Sequence, residues 1–314
     1  VSGPVFRVGT RGSQLAMTQS RWAAEAVSRA GGIDHELVTV RTEGDVLTGP
    51  LSQMGGTGVF ATALRSQVLD GAVDLAVHSL KDLPTAAVTG LTIAALPQRE
   101  DPRDALCARD GLTLDELPEG AAVGTGSPRR VAQLRALRPD LRIVDIRGNV
   151  GTRLNRVAPG DPGDLDAVVL AASGLKRLGL EGRITEYLDP HRMLPAPGQG
   201  ALALEVSAEL TADSGLATGL AAVDHLPTRL AVTAERSVLA RLEAGCAAPV
   251  GTFARLVDGD LELDVVVANP DGSEVMRRTE SAREPSVEAA RALGQRVADD
   301  LLAHGADRLA RLSL

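Results

Sequence analysis

Three stretches of the sequence place reactive or charged side chains where chemistry can use them. Residues 234–251 read AERSVLARLEAGCAAPVG. Val238, Leu239 and Leu242 recur at helical spacing, Gly245 stands where the residue closing a helix belongs, and Pro249 blocks resumption. Cys246 is then the first side chain past a helix end, where the negative end of the dipole disfavours a thiolate. Two readings stand: a small packed thiol, or a cysteine that reacts once and holds its partner covalently. The second stretch, His78-Ser79-Leu80-Lys81-Asp82, ends the strand read over 73–77. Asp82 beside Lys81 suits an acid and base at a strand end; a turn aspartate beside a surface lysine fits the spacing equally well. The third is a concentration of arginine: Arg129, Arg130, Arg135, Arg138, Arg142, Arg147, Arg153 and Arg156, against Asp140 and Asp145. In a chain of net charge −8 such a local excess points to an anionic ligand. Arg135, Arg138 and Arg142 are read as solvated faces.

The elements that must carry these residues alternate. Residues 6–9 read as a strand and 13–30 as a helix, with Thr10-Arg11-Gly12-Ser13 at the turn between them, where backbone N–H groups receive anions. Residues 37–40 read as a strand, 42–58 as a mobile Gly-rich loop over a site, and 59–69 as a helix. Residues 91–96 are a further strand, and 97–104 a passage between domains. A second unit repeats the pattern. Strand 121–124 leads into Ser127 and Pro128, suited to the cap and first position of a helix, so Arg129 and Arg130 flank an anion site. Strand 141–146 runs into Arg147-Gly148-Asn149-Val150-Gly151-Thr152-Arg153, where glycine permits close approach of a carboxylate or phosphate. Strand 166–172 follows, and the Pro/Gly-rich run 193–201 reads as a second passage. Strands 252–257, 261–268 and 273–281, joined by Asp258-Gly259-Asp260 and Asn269-Pro270-Asp271-Gly272, form a meander closed by a helix over 285–304.

Composition sets the limits. The 314 residues suffice for two or three domains, and with 2% aromatic residues the cores must be built from Ala, Val and Leu. Cys107 and Cys246 alone make no disulfide framework, and the five histidines show no metal-ligand spacing. Neither a membrane-spanning run nor a signal-peptide core stands in the sequence, which gives a cytoplasmic, membrane-free expectation. The acidic balance argues against a nucleic-acid partner.

Seven segments in order, RVGTRGSQLA (7–16), VDLAVHSLKDLPT (73–85), REDPRDAL (99–106), VGTGSPRR (123–130), RGNVGTRL (147–154), LPAPGQGA (194–201) and ERSVLARLEAGCAAPVG (235–251), resemble the hydroxymethylbilane synthase (porphobilinogen deaminase) family. The resemblance implies an α/β fold of two periplasmic-binding-protein-like lobes joined by two crossings, plus a small C-terminal α+β domain. The boundaries would be 1–97 with 198–222, 98–197, and 223–314. It implies a transferase with a dipyrromethane cofactor joined to Cys246 by a thioether. That cofactor primes the head-to-tail condensation of four porphobilinogens with loss of ammonia, and linear hydroxymethylbilane is released hydrolytically. Asp82 matches the catalytic carboxylate. Lys81, Ser79, Ser127, Arg129, Arg130, Arg147 and Gly148 match cofactor contacts; Arg11, Ser13, Phe60, Arg147, Arg153 and Asn149 match substrate contacts, Phe60 by stacking. A monomer passing its product to uroporphyrinogen-III synthase is implied as well. The pyrrole acetates and propionates account for the arginines. Where the family commonly carries Lys, Lys and Glu, this chain has Gln53, Thr57 and Ala63, and Glu43 replaces a common base. Two rivals follow: a family scaffold with weak or lost activity, and a two-lobed polycarboxylate-binding protein.

Overall fold

The computed structural model describes residues 5–40, 58–157, 164–244 and 248–310, and only the backbone of Val59 and Phe60. The chain divides into two compact units, Val1–Glu100 with Ala201–Arg229, and Asp101–Gly200 with Leu230–Leu314. In the first unit, β1 (Val5–Thr10), α1 (Gln14–Gly31), β2 (Asp34–Thr39), α2 (Gly58–Leu69), β3 (Leu75–Ser79) and β4 (Leu91–Ala95) come in order. The second unit opens with β5 (Asp104–Ala108), β6 (Ala122–Gly124), α3 (Pro128–Leu137), β7 (Arg142–Val144), α4 (Val150–Leu154), β8 (Ala167–Ala171), α5 (Ala172–Arg177) and β9 (Glu186–Tyr187). β10 (Leu202–Ser207) and α6 (Gly215–Val223) return to the first. The chain then runs through α7 (Leu226–Arg241) into β11 (Val250–Val257), β12 (Asp260–Ala268), β13 (Val275–Ala282), α8 (Val287–Ala303) and α9 (Ala306–Ala310).

The first sheet has the order β2-β1-β3-β10-β4 and the second β7-β6-β8-β5-β9. Each holds four parallel strands and one antiparallel strand inserted before the last, β10 between β3 and β4 and β5 between β8 and β9. Parallel pairing places the carboxyl ends of β1 and β3 side by side, and likewise those of β6 and β7. In α/β sheets those ends are where ligands bind.

Local chemistry fixes these elements. Ser13 caps α1 by accepting from the Ala16 N–H at 3.3 Å, and Gly32, at φ 63°, closes the other end. Ala23, Ala24 and Val27 face inward with Phe6, Val8, Leu75, Val77 and Leu204. Leu204 is fully buried, so Leu204→Ala would cost about 2–5 kcal/mol. α6 lies so close to α1 that a Cβ on Gly219 would stand 2.3 Å from the Val27 carbonyl oxygen. The last sheet, β11-β12-β13, buries Leu261, Leu263, Val265 and Val267 against Val238 and Leu242, and against Leu293, Val297 and Leu301 of α8.

Two local expectations are corrected. The helix before the cysteine ends at Arg241, sooner than the sequence predicts, and Glu243 past its end takes the left-handed conformation, at φ 48°. Ala244 N–H then bonds the Leu239 carbonyl at 3.1 Å, which satisfies an end-of-helix acceptor two residues sooner. β2 starts at Asp34 because its parallel register with β1 runs from Val5↔Asp34 to Thr10↔Thr39. Gly245, Cys246, the loop residues 42–57 and the Phe60 side chain lie outside the described residues.

Candidate active site

In the first unit the site residues gather where β1 and β3 end. After β3 the chain makes one turn of tight helix, Leu80–Asp82. Leu80 and Leu83 are each 1% exposed and pin it from both sides, and the Leu80 N–H donates to the Ala201 carbonyl at 3.0 Å. The alternation of the turn therefore leaves Lys81 and Asp82 partly exposed, on a backbone that cannot drift. Ser79 donates its hydroxyl to Oε1 of Gln19 on α1 at 3.2 Å. Arg11 is partly exposed beyond β1, and the Ser13 hydroxyl accepts from the Ala16 N–H.

In the second unit the arrangement is denser. Asp104, at the head of β5, is fully buried. Arg129 donates from Nη1 to its Oδ2 at 2.7 Å, and Arg130 from Nη2 to its Oδ1 at 2.7 Å. Gln199 Nε2 adds a bond to Oδ1 at 2.8 Å. The same guanidiniums hold backbone: Arg129 the Leu194 carbonyl at 2.6 Å, Arg130 that of Val169 at 3.0 Å. Burial opposes charge on Asp104, but the two guanidiniums outweigh it and hold the carboxyl well below the usual carboxylate range. Burial likewise lowers Arg129 from its ordinary value. Two cations share one anion here, and Nε of Arg129 is a buried donor without a hydrogen-bond partner among the described residues. Such a cluster suits one further anionic group.

Ser127 occupies the cap position of α3, yet its hydroxyl makes no capping bond. Beyond β7, Gly148 at φ 101° turns the chain, and Asn149 caps α4 by accepting from Thr152 N–H at 2.9 Å. Arg153 donates from Nε to the Gly148 carbonyl at 2.8 Å, while Arg147 is exposed, 3.6 Å from Asp145. Arg138 is not the solvated side chain expected from the sequence. Its Nη atoms donate to the Leu114 and Leu117 carbonyls at 2.6 and 2.9 Å, and it pairs with Asp140. Its task is to tie the end of α3 to the loop before β6.

Sequence reasoning missed Asp104 and Gln199. The apolar run Ala105-Leu106-Cys107-Ala108 marks a buried strand, and two neighbouring arginines inside a core demand a counter-ion. The first was readable in the sequence; the burial of Arg129 and Arg130, which calls for the counter-ion, was not.

The family model described as "Porphobilinogen deaminase, dipyromethane cofactor binding domain" matches residues 6–213, and "Porphobilinogen deaminase, C-terminal domain" matches 229–303. The chain belongs to the porphobilinogen deaminase family. The porphobilinogen deaminase of Leifsonia xyli subsp. xyli is 58% identical over 98% of this chain and 94% of its own. That of Micrococcus luteus is 55% identical over 97% of this chain and 94% of its own. A solved methionine binding protein, MetQ, matches loosely, with a TM-score of 0.42 and 12% identity over 70% of this chain and 89% of that one. The family's cofactor is a dipyrromethane. A group rich in carboxylates fits the excess positive charge and the idle Nε at Arg129.

Proposed function

We propose that the chain condenses four porphobilinogens head to tail, with loss of ammonia, and releases hydroxymethylbilane. The observation that carries this reading is the pinned Lys81–Asp82 turn at the carboxyl end of β3, in a chain of the porphobilinogen deaminase family. When bound, dipyrromethane supplies the nucleophilic pyrrole position on which the chain is built and then retained, with Cys246 as its point of attachment. Lys81, Ser79, Ser127, Arg129, Arg130, Arg147 and Gly148 would hold it; Arg11, Ser13, Phe60, Arg147, Arg153 and Asn149 would hold substrate.

Asp82 does the proton work. As porphobilinogen loses ammonia, a proton must reach the departing nitrogen, positive charge spreads over the pyrrole, and the coupled ring later loses its α-proton. A carboxyl group fixed by Leu80 and Leu83 can donate as the acid and, once it is the carboxylate, stabilise the cation and take up the α-proton, all without reorganising. The arginines and Lys81 neutralise the acetates and propionates as the product lengthens.

Three domains, one for each sheet, fit the separate cores. The same reading carries a cytoplasmic monomer that passes its product to uroporphyrinogen-III synthase; gel filtration and a coupled assay check both. The direct test is rapid-quench ammonia release by cofactor-loaded Asp82→Asn. Turnover should fall roughly 10²–10⁴-fold with circular dichroism unchanged. A wild-type rate would assign the chemistry elsewhere.

A further inference from the structure

At the end of β3 lies a charged cluster that the reaction as described does not use. Glu205, in β10, has a side chain only 3% exposed. In the antiparallel register Ala203 faces His78 and Glu205 faces Ala76, which puts Glu205 and His78 on one face, diagonally across the strand pair. Nε2 of His78 stands 3.2 Å from Oε2 of Glu205, close enough for electrostatic contact though not aligned as a straight hydrogen bond. From α2, Arg65 closes a fork on the same carboxylate, Nε to Oε2 at 3.0 Å and Nη2 to Oε1 at 2.9 Å. Burial works against the charge, and His78 and Arg65 more than offset it, so Glu205 stays below the usual glutamate range.

The surroundings are apolar. Leu64 and Val68 of α2 pack with Val73 and with Ala76, the residue opposite Glu205 in register. A buried ion pair in such a place gives less stability than well-packed apolar residues of the same volume, so the charges call for a role other than holding the fold. Position supplies one. His78 precedes Ser79 and the Leu80–Asp82 turn, and Arg65 stands five residues after Phe60 on α2. Glu205 touches both elements at once.

We propose that Glu205 is a positioning residue that locks α2 to the end of β3 and so fixes where Asp82 stands relative to the helix bearing Phe60. The proposal rests on the roles given to Asp82 and Phe60 above. It needs the fork geometry of Arg65, because a bidentate pair fixes orientation as well as distance.

The test uses cofactor-loaded enzyme and an apolar replacement of the pair, Arg65→Met with Glu205→Leu, which roughly preserves volume and removes the guanidinium together with its carboxylate. Tm should equal or exceed that of the wild type, while kcat falls about tenfold or more with KM changed less than threefold, as expected when a reacting group is misplaced. Loss of cofactor loading at unchanged Tm counts the same way, since loading uses the same turn. A wild-type kcat overturns the proposal, and so does a pair variant that fails to fold, which would make the charges structural. Asp82→Asn in the same assay separates the two readings. Slow Asp82→Asn beside a wild-type pair variant defeats only the role of Glu205; wild-type Asp82→Asn defeats the functional reading itself.

Discussion

Asp104 and Arg129 form an ion pair with no solvent on either side, Nη1 to Oδ2 at 2.7 Å, at the junction of β5 and α3. Taking away the carboxylate strands two buried guanidiniums. Asp104→Ala should cost about 3–5 kcal/mol in stability. Asp104→Asn keeps the shape and tests the charge. Because the folded Asp104 carboxyl is held below its unfolded value, its contribution is complete above pH about 4 and is lost as pH falls below that. The wild-type Tm should therefore drop steeply on acidification below pH 4. Asp104→Asn should start lower at pH 7 and fall less steeply, as followed by thermal melts from pH 7 to 2.5. Parallel slopes would mean that another carboxylate governs acid unfolding.

The two cysteines should behave differently. Burial pushes the Cys107 thiol up to about 11, so it is inert in the native protein. Cofactor-loaded enzyme should carry one dipyrromethane adduct on the peptide containing Cys246 and show no thiol reactive toward an aromatic disulfide at pH 8. Unloaded protein should show one. Cys246→Ala should lose the adduct and Cys107→Ala retain it; an adduct mapped to Cys107 would reverse the assignment.

Arg147 and Arg138 separate binding from stability. The exposed Arg147–Asp145 contact at 3.6 Å adds little to stability, so Arg147→Leu should leave Tm almost unchanged. It should weaken binding of the polycarboxylate chain by about 1.5–3 kcal/mol, seen as stalled intermediates on native gels. Arg138→Leu removes the donors for the Leu114 and Leu117 carbonyls and should cost stability of the same order, about 1.5–3 kcal/mol, without altering turnover per loaded molecule. Equal effects on intermediates from both substitutions would erase the distinction.

The polar runs at strand ends were legible because an apolar run must stop before them. Val77 is core, Ser79 bonds α1, and the partly exposed Lys81 and Asp82 follow. Ser127 and Pro128 stand at the cap and first position of α3 as their residue types predict, though the Ser127 hydroxyl makes no capping bond; the caps by Ser13 and Asn149 came only with the structure. Long-range pairing was not legible. That Asp104 receives Arg129 and Arg130, or Glu205 receives Arg65, depends on which strands become neighbours, and sequence spacing holds no record of it. Arg138 misled for the same reason: its partners are carbonyls 24 and 21 residues away. Gly245 misled differently, because the Ala244–Leu239 bond stabilises a left-handed glutamate that intrinsic preference would not select.

The place of β10 also has a consequence for the order in which the protein can be finished. β4, at the sheet edge, has β10 as its neighbour, and β3 needs β10 to cover its second side. Yet residues 202–207 leave the ribosome after all five strands of the second sheet. The amino-terminal sheet, translated first, thus waits with an open seam through its middle until all five strands of the second sheet have been synthesised. In refolding with pulsed hydrogen exchange, the amides of β4 should gain protection together with those of β10, and not earlier.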